Sequence, residues 1–575
     1  MIRETDTAPL RSRGRLLAPA GLAAVLVLVG ACSAASTTDP PGAASGSTAP
    51  GSTAPGSTAG AGDEADGGAP PCETPATEPV TAVAVPDVPG DLDLTSFDGT
   101  VIRIHWFPVG SASAAAPQPT VLMGPGWGLP GDTNVEAVGV LGALNISSLH
   151  RSGYNVLTWD PRGFGKSGGI AQVNSVDVEA RDVQQLVSWL AAQPDAALDA
   201  PGDPTSGMVG GSYGGGIQLV TAAIDCRVDA LVPVVAWHSL GTSLYKDQTF
   251  KAGWATILSG VSATATVDPH VKSANQSATA TGVLSDEDEA WFLDRGPAEL
   301  VGDITVPTLF VAGTVDTLFT LDEDITNYRM LRDNGVPTAM YWFCGGHGVC
   351  LTDPGDPARM QTAIISWLDR YVKNDESIDT GARFDLLDQD GIHYVADDYP
   401  TAEGEPITAN GSGNLELVAG GGAGPTAIPE GNTDLLGRLV GPITPAPATN
   451  AVAVPIPAPA GSPRLVLGAP RLTLTYTGTI PAGERPTRAF AQLVDDETGL
   501  VLGNQITPIP LVLDGTAHEL TLPLEVVAFT VKPGTSLTLQ IVATTTAYGE
   551  PRLGGSVRFT EIDVALPTAT GVRPA

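Results

Sequence analysis

Basic residues are scarce in this 575-residue chain: 29 Lys and Arg stand against 63 Asp and Glu, a formal net charge of −34. A surface this acidic repels nucleic acid and anionic lipid, so neither is expected as a partner. Long hydrophobic runs are missing as well. After residue 31 no apolar stretch approaches the ~20 residues a membrane-spanning helix needs. Cysteine is rare, five in all, and none has the spacing of a zinc site. Hydrophobic residues, at 42%, are not lacking, so a substantial core is expected.

Ligand motifs that look complete at first sight each lack a part. Gly126-x-Gly128-x-x-Gly131 matches a dinucleotide fingerprint, but Pro130 stands where a helix should open. Gly165-Lys166-Ser167 resembles the end of a phosphate-binding loop, yet position 160 is Asp where that loop requires its first glycine. Asp388, Asp390 and Gly391 suggest a calcium loop, but Leu386 occupies the first ligand position, so a turn is expected. Neither a cofactor nor a metal site is expected.

The N-terminal residues read as an address. Arg11, Arg13 and Arg15 precede an apolar run from Leu16 to Val29, which ends in Gly30-Ala31-Cys32. This is the pattern of a bacterial lipoprotein signal over residues 1–31, with Cys32 carrying the lipid at the extracytoplasmic face of the cell membrane. Residues 32–79 contain Gly-Ser-Thr-Ala-Pro at 46–50 and again at 51–55 and cannot bury a core, so they are expected to form a flexible tether. Contact with the membrane is expected through the anchor alone. Export leaves Cys72, Cys226, Cys344 and Cys350 in an oxidising compartment, an even number open to three pairings.

The folded part begins near Val80. Leu94 to Trp106 predicts a hairpin around Asp98-Gly99. Thr120–Met123, Asn155–Trp159, Ala230–Ala236 and Val306–Ala312 predict buried strands, and Val176–Ala192 an amphipathic helix. This alternation implies a mostly parallel sheet covered on both faces. The rhythm breaks from Trp237 to about Leu300, which predicts a helical cap inserted over the strand ends.

Gly210-Gly211-Ser212-Tyr213-Gly214 follows an apolar lead-in and precedes a helix-compatible run, the order strand, sharp turn, helix. Such a turn lifts a serine hydroxyl out of the sheet at a helix N-terminus. Serine then needs a base, and the base an orienting acid. Downstream, the strand from Leu309 delivers Asp316 at its end, and the strand from Met340 delivers His347 in a glycine-rich loop. His238 rivals His347, and Asp322 and Asp324 rival Asp316. Cys344 and Cys350 bracket His347, and a bridge between them would restrain it, although Cys72 and Cys226 remain possible partners.

Residues from about 85 to 375 resemble the family of X-Pro dipeptidyl peptidases and cocaine-esterase-like acyl esterases. The likeness rests on Asp160-Pro161-Arg162-Gly163-Phe164-Gly165-Lys166-Ser167, Glu179-Ala180-Arg181-Asp182, Trp189 to Pro194, Gly211 to Gly215 and the strand leading to Asp316. It implies an α/β-hydrolase with Ser212 as nucleophile, Asp316 as orienter, His347 as base and the Tyr213 backbone N–H as one oxyanion donor. The family commonly has a tyrosine after the strand that ends here at Met123. This chain has Pro125-Gly126-Trp127 instead, and the Trp127 N–H is the expected second donor. After Lys373 a series of short strands predicts a C-terminal sandwich over 377–575, jelly-roll-like by the same resemblance, with Phe384–Tyr399 at its start. The hydrolase is expected over 80–376. The expected function is hydrolysis of small acyl esters or short X-Pro-type peptides. The alternative is a non-catalytic envelope-binding lipoprotein on the same fold.

Overall fold

The structure is a computed structural model. It describes residues 80–575 apart from 137–138, 349, 351, 357, 424–449, 481–486 and 550–552. The signal, the tether, Cys32 and Cys72 therefore lie outside the described residues. Among the described residues no helix is long and apolar enough to cross a membrane.

A central sheet carries the first half of the chain. Its strands are β1 (Ala82–Ala84), β2 (Asp91–Thr95), β3 (Val101–Phe107), β4 (Thr120–Gly124), β5 (Asn155–Trp159), β6 (Ser206–Gly211), β7 (Ala230–Val234), β8 (Thr308–Gly313), β9 (Thr338–Phe343), β10 (Phe384–Leu387) and β11 (His393–Ala396). They lie in the order β1-β2-β3-β5-β4-β6-β7-β8-β9-β10-β11, and Arg573–Pro574 closes the far edge. Pairing is parallel from β5 through β10 and antiparallel on either flank. The strands over 384–396 thus extend this sheet rather than open the sandwich. Short apolar strands carry no local mark of the sheet they join, and Phe384 instead finds its partners in Trp342 and Tyr399.

Alternation along the parallel strands separates two buried layers. Leu122, Leu157, Met208, Leu231, Phe310 and Met340 face one side, where they meet α1 (Glu179–Leu190), α2 (Tyr213–Ile224) and α3 (Leu321–Asp333). Val121, Val156, Val209, Val232, Val311 and Tyr341 face the other, against α4 (Ala358–Tyr371). In α1, Val183, Leu186, Val187 and Leu190 recur at helical spacing and are all buried, worth roughly 1.5–3 kcal/mol each. The helix starts three residues later than its apolar pattern. The Glu179 carboxylate accepts the Gln172 and Ser175 N–H groups and thereby closes the preceding turn.

The hairpin forms as predicted, with β2 antiparallel to β3. It ends in a buried charge cluster. His105 Nδ1 lies 2.7 Å from Asp91 Oδ1, and its Nε2 lies 3.2 Å from Asp160 Oδ1. Burial opposes protonation of this imidazole, but the hydrogen bonds to Asp160 and Asp91 outweigh it and raise its pKa above 6.5. A histidine raised in the folded state contributes its full stabilisation below the unfolded pKa and loses it as pH rises through the folded one. His105→Phe should therefore cost roughly 2 kcal/mol at pH 6, and less at pH 9. Thermal melts of both proteins at the two pH values measure the difference; an equal penalty at both would contradict the charge cluster.

Between β7 and β8 lies the cap, with helices over Leu240–Leu244, Ala252–Val261, Pro269–Thr281 and Asp286–Leu293. The C-terminal region is a sandwich of two four-stranded antiparallel sheets. One takes Ile407–Glu416, Ser556–Leu566, Arg471–Thr479 and Asp514–Pro523 in that order; the other takes Ala451–Ile456, Leu537–Val542, Thr487–Asp495 and Thr507–Leu511. Inward residues alternate along the strands, as Leu472, Leu474 and Tyr476 do, and pack across to Val454, Leu493 and Leu539. The fold class read from the sequence is the one observed: an α/β-hydrolase with a helical cap and a C-terminal β-rich region.

Candidate active site

Ser212 sits between β6 and α2 with φ 57° and ψ −115°, a strained conformation for a residue with a side chain. Its surroundings impose it. The Ser212 N–H donates to the Val234 carbonyl at 2.8 Å, and its own carbonyl accepts from Gly215 and Gly216 at 2.8 and 2.9 Å. The turn packs so tightly on β4 that a Cβ at Gly214 would stand 2.2 Å from the Gly124 carbonyl oxygen. Only glycine fits there. Tyr213 opens α2, and its backbone N–H finds no acceptor among the described residues; nor does that of Trp127. The Tyr213 carbonyl accepts from Asn174 Nδ2 at 2.8 Å, and its hydroxyl faces Glu179, whose carboxyl burial pushes up to about 7. Trp127 packs edge-on to Tyr213 and donates its indole N–H to the Leu258 carbonyl in the cap at 3.1 Å.

Asp316 is fully buried at the end of β8. Its Oδ1 accepts from the N–H groups of Leu318 and Phe319 at 2.9 and 3.0 Å. Its Oδ2 accepts from the His347 N–H at 2.9 Å and meets His347 Nδ1 at 2.7 Å. His347 Nε2 is buried without a hydrogen-bond partner, and the ring stands edge-on to Phe319 and Trp254. The loop can come this close because of Gly346, which has φ +144°; a Cβ there would lie 2.5 Å from the Asp316 Cβ. Cys344 and Cys350 are disulfide-bonded around the histidine, a short closure that contributes about 2 kcal/mol in chain-entropy terms. Cys226 is disulfide-bonded too.

A cavity opens at Ser212. Trp127, Tyr213, Trp237 and Phe319 line it from below, and Leu240, Leu244, Phe250, Leu258 and Phe292 from the cap. Glu289 is the one charged residue on its wall among those described.

Residues 98–348 match the X-Pro dipeptidyl-peptidase (S15 family) model. That stretch is similar to S15-family peptidases, and the match supports a serine hydrolase enzyme. Solved structures share the fold at low identity. A CocE/NonD family hydrolase from Staphylococcus aureus is 12% identical, with TM-score 0.60, over 84% of this chain and 93% of that one. An aminopeptidase from a marine sediment archaeon, Thaumarchaeota, is 13% identical, with TM-score 0.59, over 88% and 99%. An α-amino acid ester hydrolase is 12% identical, with TM-score 0.59, over 87% and 98%. No curated protein matches the chain.

The rival residues stand in other surroundings. His238 Nδ1 lies 2.9 Å from Asn327 Oδ1, and its backbone N–H donates to Glu323. Asp322 faces Lys246, and Asp324 is buried, its carboxyl pushed well up by desolvation. The three incomplete ligand motifs have structural roles. Asp160 accepts from the N–H groups of Gly131 and Lys166, and Asp388 accepts from those of Asp390 and Ile392, closing a turn. Arg162 grips Asp182 with two hydrogen bonds, of 2.9 and 2.7 Å. Residues that sequence reasoning did not select also converge on the acid loop: Lys251, Trp254 and Gln505. No local pattern marks them, since Gln505 meets Asp316 across 189 positions.

Proposed function

We propose that this protein is an exported, lipid-anchored hydrolase of small esters with apolar acyl groups, working by a Ser-His-Asp acyl-enzyme mechanism. Ser212 Oγ attacks the acyl carbonyl while His347 Nε2 takes its proton, and Asp316 holds the imidazole through Nδ1. The tetrahedral oxyanion is met by the backbone N–H groups of Tyr213 and Trp127, aided by the N-terminus of α2. Collapse expels the alcohol, which leaves with the proton held on His347. Water, activated by the same imidazole, then releases the acid. Cys32 carries the lipid, and residues 32–79 hold the enzyme off the extracytoplasmic face of the membrane.

The cavity carries the preference for esters. Its walls are aromatic and aliphatic on both the hydrolase and cap sides, a surface that gains by desolvating an acyl chain. A peptide N-terminus would bring an ammonium into the same space, where among the described lining residues Glu289 alone offers a counter-charge. A panel of p-nitrophenyl esters from acetyl to dodecanoyl, run beside X-Pro p-nitroanilides, tests the reading. Medium-chain esters should give kcat/KM at least about tenfold above the acetyl ester, since each buried methylene adds ~0.8 kcal/mol. Efficient release of X-Pro dipeptides with esters left untouched would reverse the assignment.

A further inference from the structure

The loop that carries Asp316 is held from two sides by residues outside β8, one in the C-terminal sandwich and the others in the cap. Gln505, in the C-terminal sandwich, is 7% exposed and donates from Nε2 to the Asp316 carbonyl at 2.5 Å. Its neighbour Gly503 donates its N–H to Gln389 Oε1 at 2.6 Å, so the segment is itself pinned. From the cap side Lys251, 4% exposed, donates from Nζ to the carbonyls of Thr317 and Leu318, both at 3.0 Å. Trp254, on the helix that follows, donates to Thr317 Oγ1 at 3.0 Å and sets its ring edge-on to His347.

The cap segment bearing Lys251 is in turn fastened to the sandwich. Lys246 Nζ lies 2.7 Å from Glu525 Oε1, the Gly549 N–H donates to the Phe250 carbonyl at 2.8 Å, and Arg488 Nε reaches the Asp247 carbonyl at 3.1 Å. Glu525 is 2% exposed. A buried carboxylate is costly unless cations face it, and here the half-buried Lys246 ammonium does so, which favours one docking geometry. These contacts lead from the sandwich to the carbonyls that flank the Asp316 side chain.

We infer that Gln505 and Lys251 are positioning residues for Asp316, so that the C-terminal sandwich and the cap together set the angle at which the acid meets His347. The inference rests on Asp316 being the orienting acid of the proposed mechanism. An imidazole displaced by about 1 Å can cost up to a hundredfold in rate. Loss of Gln505 takes the donor from the Asp316 carbonyl, loss of Lys251 takes it from those of Thr317 and Leu318, and either frees the loop to shift.

Gln505→Met keeps the side-chain length and removes the donor; Lys251→Met does the same from the opposite side. A control, Gln492→Met, removes a buried amide that donates to Gln540 inside the sandwich, away from the loop. Active sites are titrated with a fluorophosphonate, so that kcat is expressed per labelled Ser212 and misfolded protein drops out. Each loop variant should lose about ten- to a hundredfold in kcat per labelled site with KM within about twofold. The control should lower the melting temperature and leave kcat per site unchanged. Wild-type turnover per site in any loop variant that folds overturns the inference for that residue. Absence of labelling at Ser212 in the unaltered protein removes the underlying reading instead.

Discussion

Ser212→Ala is expected to lower ester hydrolysis by about six orders of magnitude and to abolish fluorophosphonate labelling, while the melting temperature stays within a few degrees of wild type. Among the described residues the serine hydroxyl makes no hydrogen bond that the alanine variant would break, and the turn is imposed by Ser212 backbone contacts to Val234, Gly215 and Gly216. His347→Ala should cost about as much, because nucleophile and base act as a unit. The two single variants and the double variant should therefore share one residual rate. Hydrolysis surviving in His347→Ala but lost in His238→Ala would move the base to the other histidine, although His238 Nδ1 is occupied by Asn327.

What made this site legible is that each part is announced locally. Glycines at 210 and 214 are required by the close approach to β4. The acid and the histidine each stand just past a largely buried apolar strand, so the strand pattern delivers them. The parallel pairing of β8 with β9 brings their two end loops side by side. Three other features had no local signal. The strands over 384–396 are too short and too ordinary to declare which sheet they extend. The apolar lining of the cavity reads in sequence as common core spacing, since Leu240, Leu244 and Leu258 would look alike packed inward. Lys251 and Gln505 carry no sequence signal of their contacts, because the groups they bond are carbonyls of a distant loop and not side chains with a recognisable pattern. Local chemistry was visible; long-range support of the acid loop was not.

Asp316→Asn separates orientation from charge most sharply. Both carboxylate oxygens act only as acceptors, each toward two donors: Oδ1 toward the N–H groups of Leu318 and Phe319, Oδ2 toward the N–H and Nδ1 of His347. An amide of the same shape must turn its NH₂ to one pair. Facing the backbone pair, it opposes two donors that cannot rotate away. Facing His347, it opposes the backbone N–H and compels Nδ1 to accept, which places the ring proton on Nε2, where the base must be free to take one. Either placement costs roughly 1–3 kcal/mol for a buried unpaired donor. The second also supplies the wrong tautomer, for which a loss of about 10⁴ in kcat is expected. The fluorophosphonate reaction at Ser212 should slow in parallel, since it draws on the same proton transfer. The variant should still fold, because the disulfide from Cys344 to Cys350 and the Lys251 and Gln505 contacts hold the two loops independently of the carboxylate. A folded Asp316→Asn protein turning over esters within about tenfold of wild type would show that His347 takes its orientation from another group.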